Sequence, residues 1–264
     1  MKQSLIGHMR LQPPGTSTPT PTDPLTRKLR QWVPLSPEEI AVLRALQSAT
    51  RVVARKRDII TEGRKYDGLL VLIEGSAMRY RVLRDGRRQV LNIIFPGDFI
   101  GFPGCFFDRA LYSVAALSET VVSAIPFAQV FSLFDAHPRL AAKIFWSFSC
   151  EAAMSAEHLI DVGRRSALER VAHLLLELLT RLQAIGLADE RSYQLPLTQE
   201  LIGDALSLSL PRVNHALRQL REGDLVVIEK RKVIIKDLEG LAGLADFERT
   251  YLSRLHLAEM LART

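Results

Sequence analysis

Cysteine is scarce in this chain: Cys105 and Cys150 are too few for a disulfide scaffold and are not spaced as a zinc or iron–sulfur ligand set. No metal and no cofactor is expected. No run of about 18 or more uncharged apolar residues occurs, which excludes a membrane partner of the helix-spanning kind. The N-terminus also lacks the apolar segment and cleavage site of a secretory leader, so the expected setting is cytoplasmic. Gly-rich phosphate loops and a nucleophile elbow are missing. The six histidines, His8, His137, His158, His173, His215 and His256, all fall outside the central β-rich stretch where a metal-dependent barrel enzyme would need them. These absences argue against an enzyme. Acid does not dominate either: 29 Asp and Glu stand against 35 Lys and Arg, a formal net charge of +6, which admits a polyanionic partner without requiring one. At 47% hydrophobic, the 264 residues suffice for two domains and a connector.

Residues 1–26 read as a disordered tail, because Leu11 to Thr26 is rich in Pro and Thr and holds few large apolar side chains to offset the entropy of ordering. Ser36-Pro37-Glu38-Glu39 combines a capping box with proline in the first helical turn and predicts a short amphipathic helix. From Arg51 to Ile125 short apolar runs alternate with Gly. Met78, Tyr80 and Val82 interleave with Arg79 and Arg81, and Asp85-Gly86 is a hairpin signal. Closely spaced antiparallel strands of this kind imply a small barrel or roll, assigned to residues 27–137. A helical period then runs over residues 138–162, ending at Gly163. Ala141, Phe145, Phe148, Ala152, Ser155, Leu159 and Val162 recur in steps of three and four, the spacing of a coiled-coil seam; packing against the chain's own roll fits that stripe equally well. Another helix follows from about Arg165 to Leu182. Residues 163–253 form the last domain and 254–264 an extension.

The chemistry concentrates between Leu197 and Leu220. Thr198 and Ser209 are good N-caps for two short helices joined by a tight turn, with Pro211 tolerated in the first turn of the second. Val213, Leu217 and Leu220 should face the core, which leaves Arg212, Asn214, His215, Arg218 and Gln219 on other faces. No acidic residue falls between Ser209 and Arg221. Such a helix suits the major groove of double-stranded DNA, its early residues at base edges and its arginines at phosphates. Lys230, Arg231 and Lys232 lie between two β-prone runs, as at the tip of a wing. On this reading Pro211, Asn214 and His215 approach bases, while Thr198, Ser209, Arg212, Arg218, Arg221, Lys230, Arg231 and Lys232 meet the backbone. An ordinary helical hairpin with solvated charges is the competing reading. The tight turn, the acid-free helix and the basic hairpin together favour DNA.

Gly97-Asp98-Phe99-Ile100-Gly101, the run Gly163 to Ala172 (GRRSALERVA) and Leu195 to Glu200 (LPLTQE) make the chain from Leu35 to Leu252 resemble the Crp/Fnr family of transcription regulators. The resemblance implies an α+β architecture: a cyclic-nucleotide-binding-like β-roll, a long dimerisation helix and a C-terminal winged helix-turn-helix. It also implies a homodimer, with RNA polymerase as a further partner and a small-molecule effector as a possible one. Three departures stand out. The Glu and Arg that hold ribose and cyclic phosphate in nucleotide-binding relatives are matched by Phe102 and Tyr112, leaving Gly101, Phe102, Tyr112 and Ser113 as effector-pocket candidates unsuited to cyclic AMP. The N-terminal cysteine cluster of oxygen-sensing relatives is absent. In the recognition helix the usual Glu-x-x-Ser-Arg reads Pro211 to His215, removing an arginine that can bind guanine in bidentate fashion. The rival function is a dimeric regulatory module that acts through protein contacts with reduced sequence reading.

Overall fold

The computed structural model describes residues 23–252 apart from residues 33, 48 and 67. The expected tail lies outside these residues up to position 22, but its end does not: Pro24–Trp32 is a helix, α1. Asp23 starts it by accepting the Thr26 N–H at 2.8 Å, and Leu25 and Leu29 are fully buried. Two leucines one turn apart supply the apolar surface that composition alone hides. The second helix, α2 (Pro37–Leu46), carries the expected capping box, Ser36 and Glu39 exchanging side-chain and backbone hydrogen bonds.

Eight strands follow: β1 (Ala49–Val53), β2 (Asp58–Ile60), β3 (Leu69–Glu74), β4 (Ala77–Val82), β5 (Arg88–Ile94), β6 (Phe99–Ile100), β7 (Ser113–Ala116) and β8 (Thr120–Ile125). They form two four-stranded sheets ordered β1-β8-β3-β6 and β2-β7-β4-β5, with every pairing antiparallel. Val53, Ile59, Leu72, Ile94, Ile100, Val114 and Val122 fill the space between them. Gly75 turns β3 into β4 at φ +84, where a Cβ would stand 2.3 Å from the Glu119 carbonyl oxygen. Asp85-Gly86 closes the β4–β5 hairpin as the sequence predicts.

Helix α3 (Phe127–Ala136), which the strand-dominated pattern conceals, leads into α4 (Pro138–Arg164). At 27 residues α4 is about 40 Å long and passes through Gly163, two residues beyond the expected end. The last domain contains α5 (Ala167–Ala184), β9 (Ser192–Gln194), α6 (Gln199–Leu206), α7 (Leu210–Glu222), β10 (Val226–Glu229), β11 (Lys232–Ile235) and α8 (Leu238–Ala245). Its sheet is ordered β10-β11-β9. Leu174, Leu175, Leu178 and Leu179 of α5 pack with Val213, Leu220, Val226 and Val233. Met78, Val90, Ile93 and Phe95 of the roll belong to the same apolar cluster. None of the described helices is long and apolar enough to cross a membrane.

Candidate nucleic-acid interface

The turn between α6 and α7 is built around Gly203. Leu208 donates its N–H to the Gly203 carbonyl at 3.0 Å, and a Cβ on Gly203 would lie 2.6 Å from the Leu208 oxygen, so the chain reverses this tightly only because that atom is missing. Ser207 completes the reversal in the left-handed region at φ 55. Thr198 caps α6, its hydroxyl accepting from the Leu201 N–H at 3.3 Å. Ser209 holds the N-cap position of α7 with extended backbone, but its hydroxyl bonds no N–H of the helix.

On α7 the core side is Val213, Ala216 and Leu220, with Leu217 half-buried; Pro211, Arg212, Asn214, His215, Arg218 and Arg221 are exposed. Two of these exposed residues are joined: Arg218 Nη2 donates to His215 Nδ1 at 2.9 Å. Across the face, β10 and β11 are linked by Lys230 and Arg231 at φ 47 and 67, the two positive values that a tight hairpin turn takes. Arg231 is tied back through Nε to the Leu195 carbonyl at 3.3 Å, and the Lys232 ammonium lies 3.8 Å from Asp189, while Lys230 is exposed at the tip.

A groove of about 530 Å³ runs between the start of α6, α7 and the wing, with Thr198, Asn214, Arg218, Arg221 and Arg231 on its walls. Five residues expected from sequence to meet DNA therefore converge on one concave surface. Arg212 and His215 are exposed on the same helix, and Ser209, Lys230 and Lys232 lie outside the groove lining. Strand β9, whose next residue Leu195 anchors Arg231, is not apparent from sequence; a three-residue strand gives no period to detect.

Inside the roll, Gly101, Phe102 and Tyr112 surround a residual space of about 10 Å³, close to the size of one water molecule. Three side chains fill what would otherwise be a pocket. The Tyr66 hydroxyl donates to the Gly101 carbonyl, and burial raises the phenol well above its ordinary value. Phe102 stacks on Phe148 of α4 with ring centroids 4.0 Å apart. Arg79, which strand alternation with Tyr80 places on the outside, is 8% exposed and paired with Glu151 of α4, because both faces of β4 are covered: Ala77 belongs to the core between the sheets, while Met78 and Tyr80 pack against the α5 cluster. Ser113 is occupied otherwise, its hydroxyl accepting from the Glu62 N–H at 3.0 Å.

The α4 stripe divides. Phe145, Ala152, Ser155, Leu159 and Val162 are exposed, Leu159 at 74%. Ala141 and Phe148 instead turn into the chain's own core. Both thiols are pushed up to about 11 by burial, which leaves neither cysteine a ready nucleophile.

The comparison with known proteins agrees with this geometry. The family model described as a cyclic nucleotide-binding domain matches residues 50–137, and that of a Crp-like helix-turn-helix domain matches residues 169–244. The chain is 27% identical to the transcriptional activator protein FnrL of Cereibacter sphaeroides over 208 residues, covering 77% of this chain and 83% of that protein. It is 31% identical over 158 residues to the nitrogen fixation regulation protein FixK of Bradyrhizobium diazoefficiens, covering 60% and 65% respectively. Among solved structures, FixK2 from Bradyrhizobium japonicum superposes with a TM-score of 0.66 at 25% identity, over 74% of this chain and 96% of that one.

Proposed function

We propose, from the premise that this chain belongs to the Crp/Fnr family of DNA-binding transcription regulators, that it works as a cytoplasmic, non-enzymatic homodimer. Each protomer places α7 in the major groove of one half of a palindromic promoter site. The observation that carries this reading is the groove between α6, α7 and the wing. It holds three arginines and two amide side chains on an exposed, acid-poor face. Asn214 and His215, with Pro211 beside them, approach base edges, and Arg212, Arg218, Arg221 and the wing cations neutralise phosphates. The exposed part of the α4 stripe, centred on Phe145, Ala152 and Leu159, pairs with its two-fold mate. Names such as transcriptional activator among the relatives support RNA polymerase as a further partner. Cyclic AMP is not the effector, because the space lined by Tyr66, Arg79 and Phe102 measures only about 10 Å³ and Tyr112 takes the position matched to the phosphate-holding arginine. An unbiased selection of random duplexes on the purified protein tests the reading. A palindrome with half-site centres about 10–10.5 bp apart is expected without added ligand. Recovery of no preferred sequence would favour action through protein contacts.

A further inference from the structure

The roll reaches across the interdomain boundary and grips the helix-turn-helix at its turn. Arg88, the first residue of β5, donates from Nε at 2.8 Å and from Nη2 at 2.6 Å to the same Oδ2 of Asp204 on α6. The next residue, Gln89, donates through Nε2 to the Ala205 carbonyl at 3.0 Å and accepts at Oε1 from the Ser207 hydroxyl at 2.8 Å. Two consecutive residues of one strand thus engage three of the four residues from Asp204 to Ser207, where α6 ends and the chain reverses. The grip has a counterpart on the other side: Arg170 of α5 donates to the carbonyls of Val162, Arg165 and Leu206, tying the end of α4 and the end of α6 to one guanidinium. The C-terminal end of α6 is therefore held both by the roll and by the dimer-helix junction.

We infer that Arg88 and Gln89 are positioning residues for the DNA reader, setting the direction in which α7 leaves the turn without touching DNA themselves. The inference rests on the DNA-binding reading above. Position matters because a two-fold dimer reads both half-sites only if its two recognition helices stand one helical turn apart and correctly inclined. An apolar interdomain surface is non-directional and tolerates sliding, whereas a guanidinium and an amide with fixed partners define a register. The contact does not occlude the reader: Arg212, Asn214, His215 and Arg218 remain exposed while Arg88 and Gln89 are engaged. Asp204 is also the one acid of α6 beyond its first turn, so Arg88 compensates an anion that would otherwise be unpaired close to the reader.

The test uses the full-length protein and two probes: the palindrome selected on wild type, and a duplex carrying a single half-site. Arg88→Ala, Gln89→Ala and Asp204→Ala are each expected to weaken palindrome binding about tenfold while leaving half-site affinity and the salt dependence as in wild type. A half-site needs only one correctly formed reader. The exchange Arg88→Asp with Asp204→Arg should recover most of the loss. Its melting curve, and those of the single variants, report whether each protein is folded, and Gln89→Ala serves if the exchange is not. Palindrome binding unchanged in Arg88→Ala and Gln89→Ala would overturn the inference. So would tighter binding, which would make the contact a restraint, or equal loss on both probes, which would make it merely structural. Failure of the DNA-binding reading looks different, since wild type itself would then select no site.

Discussion

At the scale of single residues, the reader is less a set of independent groups than its spacing suggests. Arg218→Ala should weaken binding to specific and random DNA alike and flatten the plot of log affinity against log salt by about 0.9 for each phosphate that is no longer neutralised. His215→Ala should relax preference at one base pair per half-site. Because Arg218 donates to His215, the two effects should fall short of additive in the double variant, as measured by anisotropy titration. A second residue-scale expectation concerns His158, whose Nε2 lies 2.7 Å from the buried Glu177 carboxylate. Burial works against the charged imidazole, but the charge and hydrogen bond of Glu177, with Asp161 behind it, outweigh burial and the opposing Arg181, so its pKa is raised. Burial likewise works against the Glu177 carboxylate, yet His158, Arg181 and His173 hold it down at about 2. A raised histidine contributes stability that is complete below its unfolded value of about 6.5 and is lost as pH rises through its folded value. The melting-temperature advantage of wild type over His158→Gln should therefore shrink as the pH is raised from 6 to 9; an advantage constant with pH would refute the pairing.

At the scale of elements, α4 shows where periodicity informs and where it stops. Steps of three and four identify a stripe, but a stripe does not say whether it meets a partner or the chain's own roll. The stack of Phe148 on Phe102 gives the N-terminal half an intramolecular partner, while Leu159 in the C-terminal half is left 74% exposed, as the proposed pairing requires. Leu159→Glu should consequently yield a monomer in light scattering with a nearly unchanged melting point in dilute solution. Phe148→Ala should cost roughly 2–3 kcal/mol of stability, below the range for a fully buried phenylalanine, while leaving the α4 seam intact. The helix-turn-helix was legible because its signals are local: Thr198 caps, Gly203 permits the close approach, and Val213 and Leu220 fix the inner face. Helix α1 and strand β9 were not, since Leu25 and Leu29 count for little in a stretch of Pro and Thr, and three residues from Ser192 carry no alternation. Arg79 shows a third limit. Alternation along β4 separates Ala77 and Arg79 from Met78 and Tyr80, but it does not say that both faces will be covered, one by the roll's own core and the other by the α5 cluster.

At the scale of the whole molecule, the closed interior of the roll predicts that 1 mM cyclic AMP shifts the melting midpoint by less than about 1 °C, because ligand that does not bind the native state cannot stabilise it. A saturable rise would mean that Tyr66 and Phe102 move aside. The roll and the reader also differ from two beads on a string. Met78, Val90, Ile93 and Phe95 lie in the same apolar cluster as the leucines of α5, so the boundary near Ser166 that looks like a natural place to cut divides one core in two. A fragment starting at Ser166 would expose the α5 leucines that these roll residues cover, and should aggregate or bind hydrophobic dyes. The intact chain should melt in a single calorimetric transition with equal calorimetric and van't Hoff enthalpies. This reader is thus a poor cassette: grafting it onto a foreign sensor would require carrying along the outer face of the β4–β5 hairpin, and a chimera joined only through the α4–α5 hinge would inherit the DNA-facing residues without the surface that keeps them folded.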